Sequence, residues 1–180
     1  MLDQSTISEG STALEALAQT SIMAQEAEKL GFHRMWVSEH HFENSLAGSS
    51  PEVLISHLAA KTSTLRVGAG GVMLPHYSPY KVAENFRLLE GLYPGRIDLG
   101  LGRAPGGMPL ATQALQEGVD RTIDRYPDKL DDLIAYLHDS LSEDHRYAGL
   151  IATPQVDTVP EMWLLGSSGD SAVLAAERGA

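Results

Sequence analysis

A chain of 180 residues that is 43% apolar and 21% charged is long enough to bury a core, which argues against disorder and for one domain. Its net charge of −11 repels phosphate at long range, so neither nucleic acid nor a membrane is expected as a partner, and an anionic ligand would need a local device. The absence of cysteine excludes disulfides and thiolate metal sites, and the opening Met1-Leu2-Asp3-Gln4 lacks signal-peptide character, so a cytoplasmic protein is expected.

In chain order, strand-like and helix-like segments alternate. Met1 to Gln4 reads as the stub of a first strand. Leu14, Leu17, Ala24, Ala27 and Leu30 then recur at helical spacing, with Thr12 and Glu15 placed for a capping box and Gly31 to stop the helix. Arg34 to Ser38 is a strand candidate. Ser50-Pro51 opens a helix carrying Val53, Leu54, His57 and Leu58. Leu65 to Leu74, "LRVGAGGVML", is an apolar strand with internal glycines, and Ser78-Pro79 opens a helix with Val82, Phe86, Leu89 and Leu92. Arg96 to Leu101 is the next strand, so strand starts at 34, 65 and 96 lie 31 residues apart, a βαβ rhythm.

Beyond Gly102 the rhythm stretches. Leu110 to Leu115 and the set Leu130, Leu133, Ile134, Leu137 and Leu141 read as helices, a helical insertion over about 107–158. A strand returns at Met162 to Leu165, followed by a Gly/Ser turn and a short helix whose first turn lies near Ser168 to Ser171.

Parallel strands joined by single helices leave a doubly wound open sheet or a (β/α)₈ barrel. Polar residues follow four successive strands: Glu39-His40-His41, Pro75-His76, Gly102-Arg103 and Gly166-Ser167-Ser168. Four contributions to one rim favour the barrel, although a complete one takes about 250 residues. The expectation is therefore an α/β chain of the TIM-barrel type, incomplete, with about five βα units.

Each polar group has a plain reading beside a functional one. "GLGRAPG", Gly100 to Gly106, misses the dinucleotide fingerprint because its third glycine comes one residue late and Pro105 lacks a backbone donor. It serves either as a turn or to set Arg103 at a strand end to meet an anion. In "GSSGDSA", Gly166 to Ala172, hydroxyls and amides gather at a helix N-terminus, which suits a phosphate; a simple cap by Ser168 or Asp170 explains it equally. "GAGG", Gly68 to Gly71, implies a flat ligand or another backbone close by, or else a bulge.

Taken together, "LDQSTISEGS", "WVSEHHF", "VGAGGVMLPHYSP", "YPGRIDLGLGRAPG" and "LLGSSGDSA" resemble the bacterial luciferase-like flavin monooxygenases, specifically the branch related to luciferase alpha chains. The resemblance covers nearly the whole chain. It implies a (β/α)₈ barrel, reduced FMN supplied by a separate flavin reductase, and dioxygen used to oxidise a small organic substrate such as an aldehyde. It further implies that His40 is the active-site histidine and that Gly70 and Gly71 lie at the flavin ring, where the family often has a non-proline cis peptide. Arg103 then lies near the flavin phosphate, and Ser167, Ser168 and Ser171 form the phosphate-binding turn. After "GRAPG" relatives commonly continue with Thr-Asp, whereas this chain has Gly107-Met108, which puts a polar contact there in doubt.

Members usually exceed 300 residues, so this chain reads as the N-terminal part of the domain, with an open sheet edge that predicts a homo-oligomer or poor solubility. The alternative to a monooxygenase is a non-catalytic flavin-binding protein of the shortened type found among luciferase relatives. A metal site is not expected, because adjacent histidines on an extended segment point to opposite faces. Imidazole suits proton exchange near neutrality, so His40 is expected to act in catalysis, and His41 and Phe42 to pack.

Overall fold

The computed structural model describes residues 1–104, 107–119, 125–167 and 169–179. Five strands, β1 (Leu2–Asp3), β2 (Arg34–Val37), β3 (Arg66–Met73), β4 (Ile97–Gly102) and β5 (Glu161–Leu164), form one parallel sheet in the order β1-β2-β3-β4-β5. β2, β3 and β4 begin within one residue of the positions expected from the sequence rhythm. Strand order follows chain order with no reversal, which is the winding of a barrel wall; a doubly wound sheet has a switch point.

The connecting helices are α1 (Ala13–Lys29), α2 (Pro51–Lys61) and α3 (Pro79–Leu92), with a 3₁₀ turn, Leu74–His76, between β3 and α3. Two helices, α4 (Pro109–Leu115) and α5 (Tyr126–Leu137), stand between β4 and β5, and α6 (Gly169–Arg178) follows β5. Period-2 alternation divides the strand side chains between two faces. Met35, Val37, Val67, Ala69, Ile97, Leu99 and Leu101 join Ile55, Leu58, Phe86, Leu130 and Leu133 in one helix-facing core. The alternate residues Arg34, Trp36, Arg66, Asp98 and Trp163 line the other face.

On that face a fully buried carboxylate, Asp98, ties the strands together. It accepts from Arg66 Nε at 2.8 Å and from Trp36 Nε1 at 2.8 Å, while Arg34 reaches both Asp98 at 3.5 Å and Glu161 at 3.4 Å. Trp36 and Trp163 meet edge to face at 5.4 Å, and the Arg34 guanidinium lies 4.6 Å over Trp163. A carboxylate removed from water is tolerated here because it is both paired and hydrogen-bonded.

The capping box at α1 forms as the spacing requires: Thr12 Oγ1 accepts from Glu15 N, and Glu15 returns a bond to Thr12 N at 2.9 Å. The buried stripe of α1 differs from the expected one. Ala16, Thr20, Ala24 and Ala27 face inward, while Leu14 and Leu30 are 79% and 75% exposed. Small residues let the helix axis lie close to the sheet, and that contact selects the stripe over the larger leucines. On α2, Val53 is 69% exposed for the same reason of facing, with Ile55, Leu58 and Ala59 buried instead.

Two polar clamps fix what surrounds the core. Arg87, buried on α3, donates to the carbonyls of Tyr136, Leu137 and Ala152, and pairs with Asp139 at 2.8 Å. It thereby caps the end of α5 and holds the following coil against α3. Glu28, near the end of α1, accepts from the backbone N–H groups of Ser63, Thr64 and Leu65 at 2.6–2.8 Å and so sets the entry to β3. These bonds, that to Thr64 foremost, hold the Glu28 carboxyl down at about 2.

A carboxylate lowered in the folded state contributes stability above its unfolded value and loses it as pH falls towards the folded one. Glu28→Gln is therefore expected to cost about 1 kcal/mol at neutral pH, the low end for charged hydrogen bonds because the group is solvent-accessible. Urea melts should show the gap between wild type and variant closing as pH falls from about 4.5 towards 2; a gap independent of pH would contradict the role given to the charge.

Candidate functional site

The carboxyl ends of β2, β3, β4 and β5 converge on one rim. β2 runs straight into Ser38-Glu39-His40-His41, and the two histidines take different partners. The Gln4 side-chain amide donates to His40 Nε2 at 3.1 Å, so that nitrogen accepts and Nδ1 carries the proton; the His40 backbone N–H donates to Gly48 O at 3.0 Å. His41 Nε2 donates to Glu39 Oε1 at 2.7 Å. Phe42 was expected to pack, yet it adopts φ 55° and is 67% exposed. A left-handed residue turns the chain off the strand and carries the ring out with it. No group of three or more His, Asp or Glu side chains able to hold a metal ion occurs among the described residues.

Glu39 was not singled out by sequence reasoning, and it proves central to the rim. It is wholly buried and accepts from His41, from Met73 N at 2.8 Å and from Tyr77 O–H at 2.6 Å. One carboxylate thus joins the ends of β2 and β3 to the loop before α3. Burial, then the bond to Glu39, pushes the Tyr77 phenol far above its ordinary value. Burial also raises the Glu52 carboxyl, with the Glu39 charge adding to it. A glutamate immediately after an apolar strand was the only available signal, and it is a weak one.

Within β3 the Gly70-Gly71 peptide is cis, as the resemblance implied. The register against β4 shifts between Ala69 and Val72, so a bulge is present, and the expected close backbone approach is present too. A Cβ on Gly71 would lie 2.7 Å from Gly100 O, and one on Gly100 would overlap the Ala69 carbonyl. Gly70 opens into a cleft lined by Leu2, Arg34, Trp36 and Leu165. Leu165 is also a wall of a second cleft, lined by Arg103, Tyr126, Asp170, Ser171 and Leu174. Arg103 and Ser171 are thus brought together in one cleft, and Gly70 lines a neighbouring one across Leu165.

Arg103 follows β4 and lies 5.9 Å from the centre of the Tyr126 ring. Burial raises the Tyr126 phenol, with the Arg103 charge opposing. Ser171 sits in the first turn of α6, and a Cβ on Gly166 would collide with its side chain, so glycine at 166 is what lets Ser171 fold over the turn. Ser167 is exposed just before that turn. Ser168 lies outside the described residues. Two polar atoms at this face are buried without a partner among the described residues, Ser38 Oγ and Trp163 Nε1.

The Gly107 position, where the resemblance is interrupted, has its own explanation. His41 and Gly107 pair as a parallel bridge, and a Cβ at 107 would stand 2.6 Å from His41 O. Glycine there admits the backbone of the rim in place of a side chain.

Residues 1–180 match a family model described as luciferase-like monooxygenase. The Bacillus subtilis (strain 168) protein YwcH, itself uncharacterized, is 66% identical over 180 residues, which is 100% of this chain and 54% of that protein. N-acetyl-S-alkylcysteine monooxygenase of the same strain is 51% identical over 179 residues, 99% of this chain and 54% of its own. The oxygenating constituent of 3,6-diketocamphane monooxygenase from Pseudomonas putida, solved in complex with FMN, has a TM-score of 0.76, covers 99% of this chain with 54% of its own, and at 22% identity shows the fold alone. The chain spans about half the length of the curated relatives it matches. With the sequential parallel sheet and its rim already in place, these matches show that the chain belongs to the luciferase-like monooxygenase family.

Proposed function

We propose that this chain carries the cofactor-binding rim and the active-site histidine of an FMN-dependent monooxygenase acting on a small organic substrate. The observation that carries the reading is the pair of neighbouring clefts that share Leu165, one lined by Gly70 and the other by Arg103 and Ser171. Its chemistry fits a flavin mononucleotide in parts. Gly70 puts no side chain into the apolar cleft it lines with Leu2, Trp36 and Leu165, which suits a flat ring, and Trp163 Nε1 and Ser38 Oγ are buried polar atoms of the same sheet face without a partner among the described residues. Across Leu165, the Arg103 guanidinium, the hydroxyls of Ser167 and Ser171, and the amides of the α6 N-terminus suit a phosphate. The P. putida neighbour is described in complex with FMN, which supports the same cofactor here.

When bound in reduced form, the flavin supplies the electrons that activate dioxygen. The protein's own part is to hold the ring, exclude water and handle protons. Gln4 orients the His40 imidazole, leaving Nδ1–H as the proton it can donate. Glu39, gripping His41, Met73 and Tyr77, keeps the backbone on which His40 stands from shifting. The substrate is a small aldehyde or a thioether of the kind named for the 51% identical relative. A separate reductase delivers the reduced flavin, and the functional particle is a homo-oligomer in the cytoplasm.

Two variants separate the roles. Arg103→Ser should weaken FMN binding roughly 10- to 100-fold, the value of a charge-assisted hydrogen bond of about 1.5–3 kcal/mol, while leaving riboflavin, which has no phosphate, unchanged in fluorescence titration. Equal losses for both flavins would remove Arg103 from the phosphate site. His40→Ala should lower single-turnover oxidation about 10²- to 10⁴-fold with FMN affinity within a factor of three. Parallel collapse of binding and turnover would make His40 a cofactor contact only, and a protein that binds no flavin would end the proposal.

A further inference from the structure

Outside the flavin rim, the loop after the 3₁₀ turn, α5 and the coil that Arg87 holds against α3 enclose another cleft of about 440 Å³. That volume is within the roughly 300–1,000 Å³ of small-molecule sites. Among the described residues it shares no lining residue with the clefts at Gly70 and at Arg103. One wall is aromatic. Tyr80 and Tyr136 meet edge to face at 5.3 Å, and Tyr147 stands exposed at the mouth.

The charge of the lining is unusual for this chain. Among the described lining residues Arg125, Lys129 and Arg146 stand with Asp128 and Asp132, so three cations against two carboxylates leave a net of +1 there in a protein of net −11. Arg146 is already spent on Asp132. Lys129 donates to the carbonyls of Pro75 and Tyr77, each at 2.8 Å, and lies 3.4 Å from that of Leu74, so dipoles solvate its charge and no carboxylate cancels it. The Arg125 carbonyl accepts from Lys129 N at 2.9 Å, while its exposed side chain makes no hydrogen bond or ion pair among the described residues. Burial and then the neighbouring Arg125 pull the Lys129 ammonium down, as expected of two cations with no anion between them.

We infer that this cleft is a second ligand site, for a small aromatic monocarboxylate. The ring lies against Tyr80 and Tyr136, whose edges and faces favour another ring, and the carboxylate meets the Arg125 fork, with Lys129 behind it. One negative charge cancels the net charge of the lining, which sets the preference for a monoanion. The site does not rest on the flavin reading, since the groups that would hold its ligand, Tyr80, Tyr136, Arg125 and Lys129, take no part in that one.

The test uses 2-naphthoate and its neutral twin 2-naphthamide, titrated calorimetrically into the protein. Saturable one-to-one binding of the naphthoate, at least ten-fold tighter than the amide, is expected. Arg125→Ser should weaken the naphthoate ten-fold or more and Tyr147→Ala at least three-fold, with FMN affinity unchanged in both; each replaced side chain is exposed, and unchanged circular-dichroism melts will show that the fold is kept. Arg103→Ser and saturating FMN should leave naphthoate binding as it was. Equal affinity for acid and amide, no saturation at millimolar concentration, indifference to Arg125→Ser, or displacement by FMN would each overturn the assignment, the last by placing the naphthoate in the flavin clefts.

Discussion

The rim depends first on how closely β3 and β4 approach each other. Gly68, Gly71 and Gly100 are required because a Cβ at any of them would strike the facing strand: at 68, Asp98 Cβ at 2.5 Å; at 71, Gly100 O at 2.7 Å; at 100, the Ala69 carbonyl. With side chains excluded, the register shifts between Ala69 and Val72 and the backbone at Gly70 lines a cleft. Everything else at the rim is arranged around that bare backbone. Asp98 ties the strands beneath it, Glu39 ties the loops above it, and Leu165 links it to the Arg103 side.

Much of this was legible in the sequence, and the exceptions have physical causes. Helix starts at Thr12, Ser50 and Ser78 were readable because caps and first-turn prolines act locally. The βα rhythm was readable because strand and helix lengths are set by the layer they span. Which helix face turns inward was less so: Leu14 and Leu30 are larger than Ala16 and Ala24, yet close packing against a sheet favours the small residues. The adjacent histidines separated as extended geometry requires, but Phe42 left the core because one residue at positive φ redirected the chain. Long-range polar partners carried no local signal. Nothing near Glu39 announces Met73 or Tyr77, and nothing near Asp98 announces Trp36 or Arg66. Gly107 read as a lost polar contact and proved to be a place where two backbones meet.

Electrostatically the chain keeps its cations for specific tasks. Of the arginines, Arg34 and Arg66 offset Asp98 and Glu161 inside the sheet, and Arg87 satisfies carbonyls at the end of α5. Arg103 and Arg125 mark the two places where the proposals put an anion, within a field that repels anions at a distance. Both lie next to an aromatic wall, so each site combines a charge with a flat apolar surface. As a member of the luciferase-like monooxygenase family, the chain presents a TIM-barrel-type wall whose carboxyl rim holds the proposed chemistry, and the matched relatives are about twice its length.

The most direct measurement is the structure of the protein with FMN bound. Isoalloxazine density against Gly70-Gly71, with the phosphate between Arg103 and Ser171, is the predicted result. Flavin density elsewhere, including in the tyrosine-lined cleft near Arg125, or a phosphate held by neither Arg103 nor the α6 N-terminus, would contradict it.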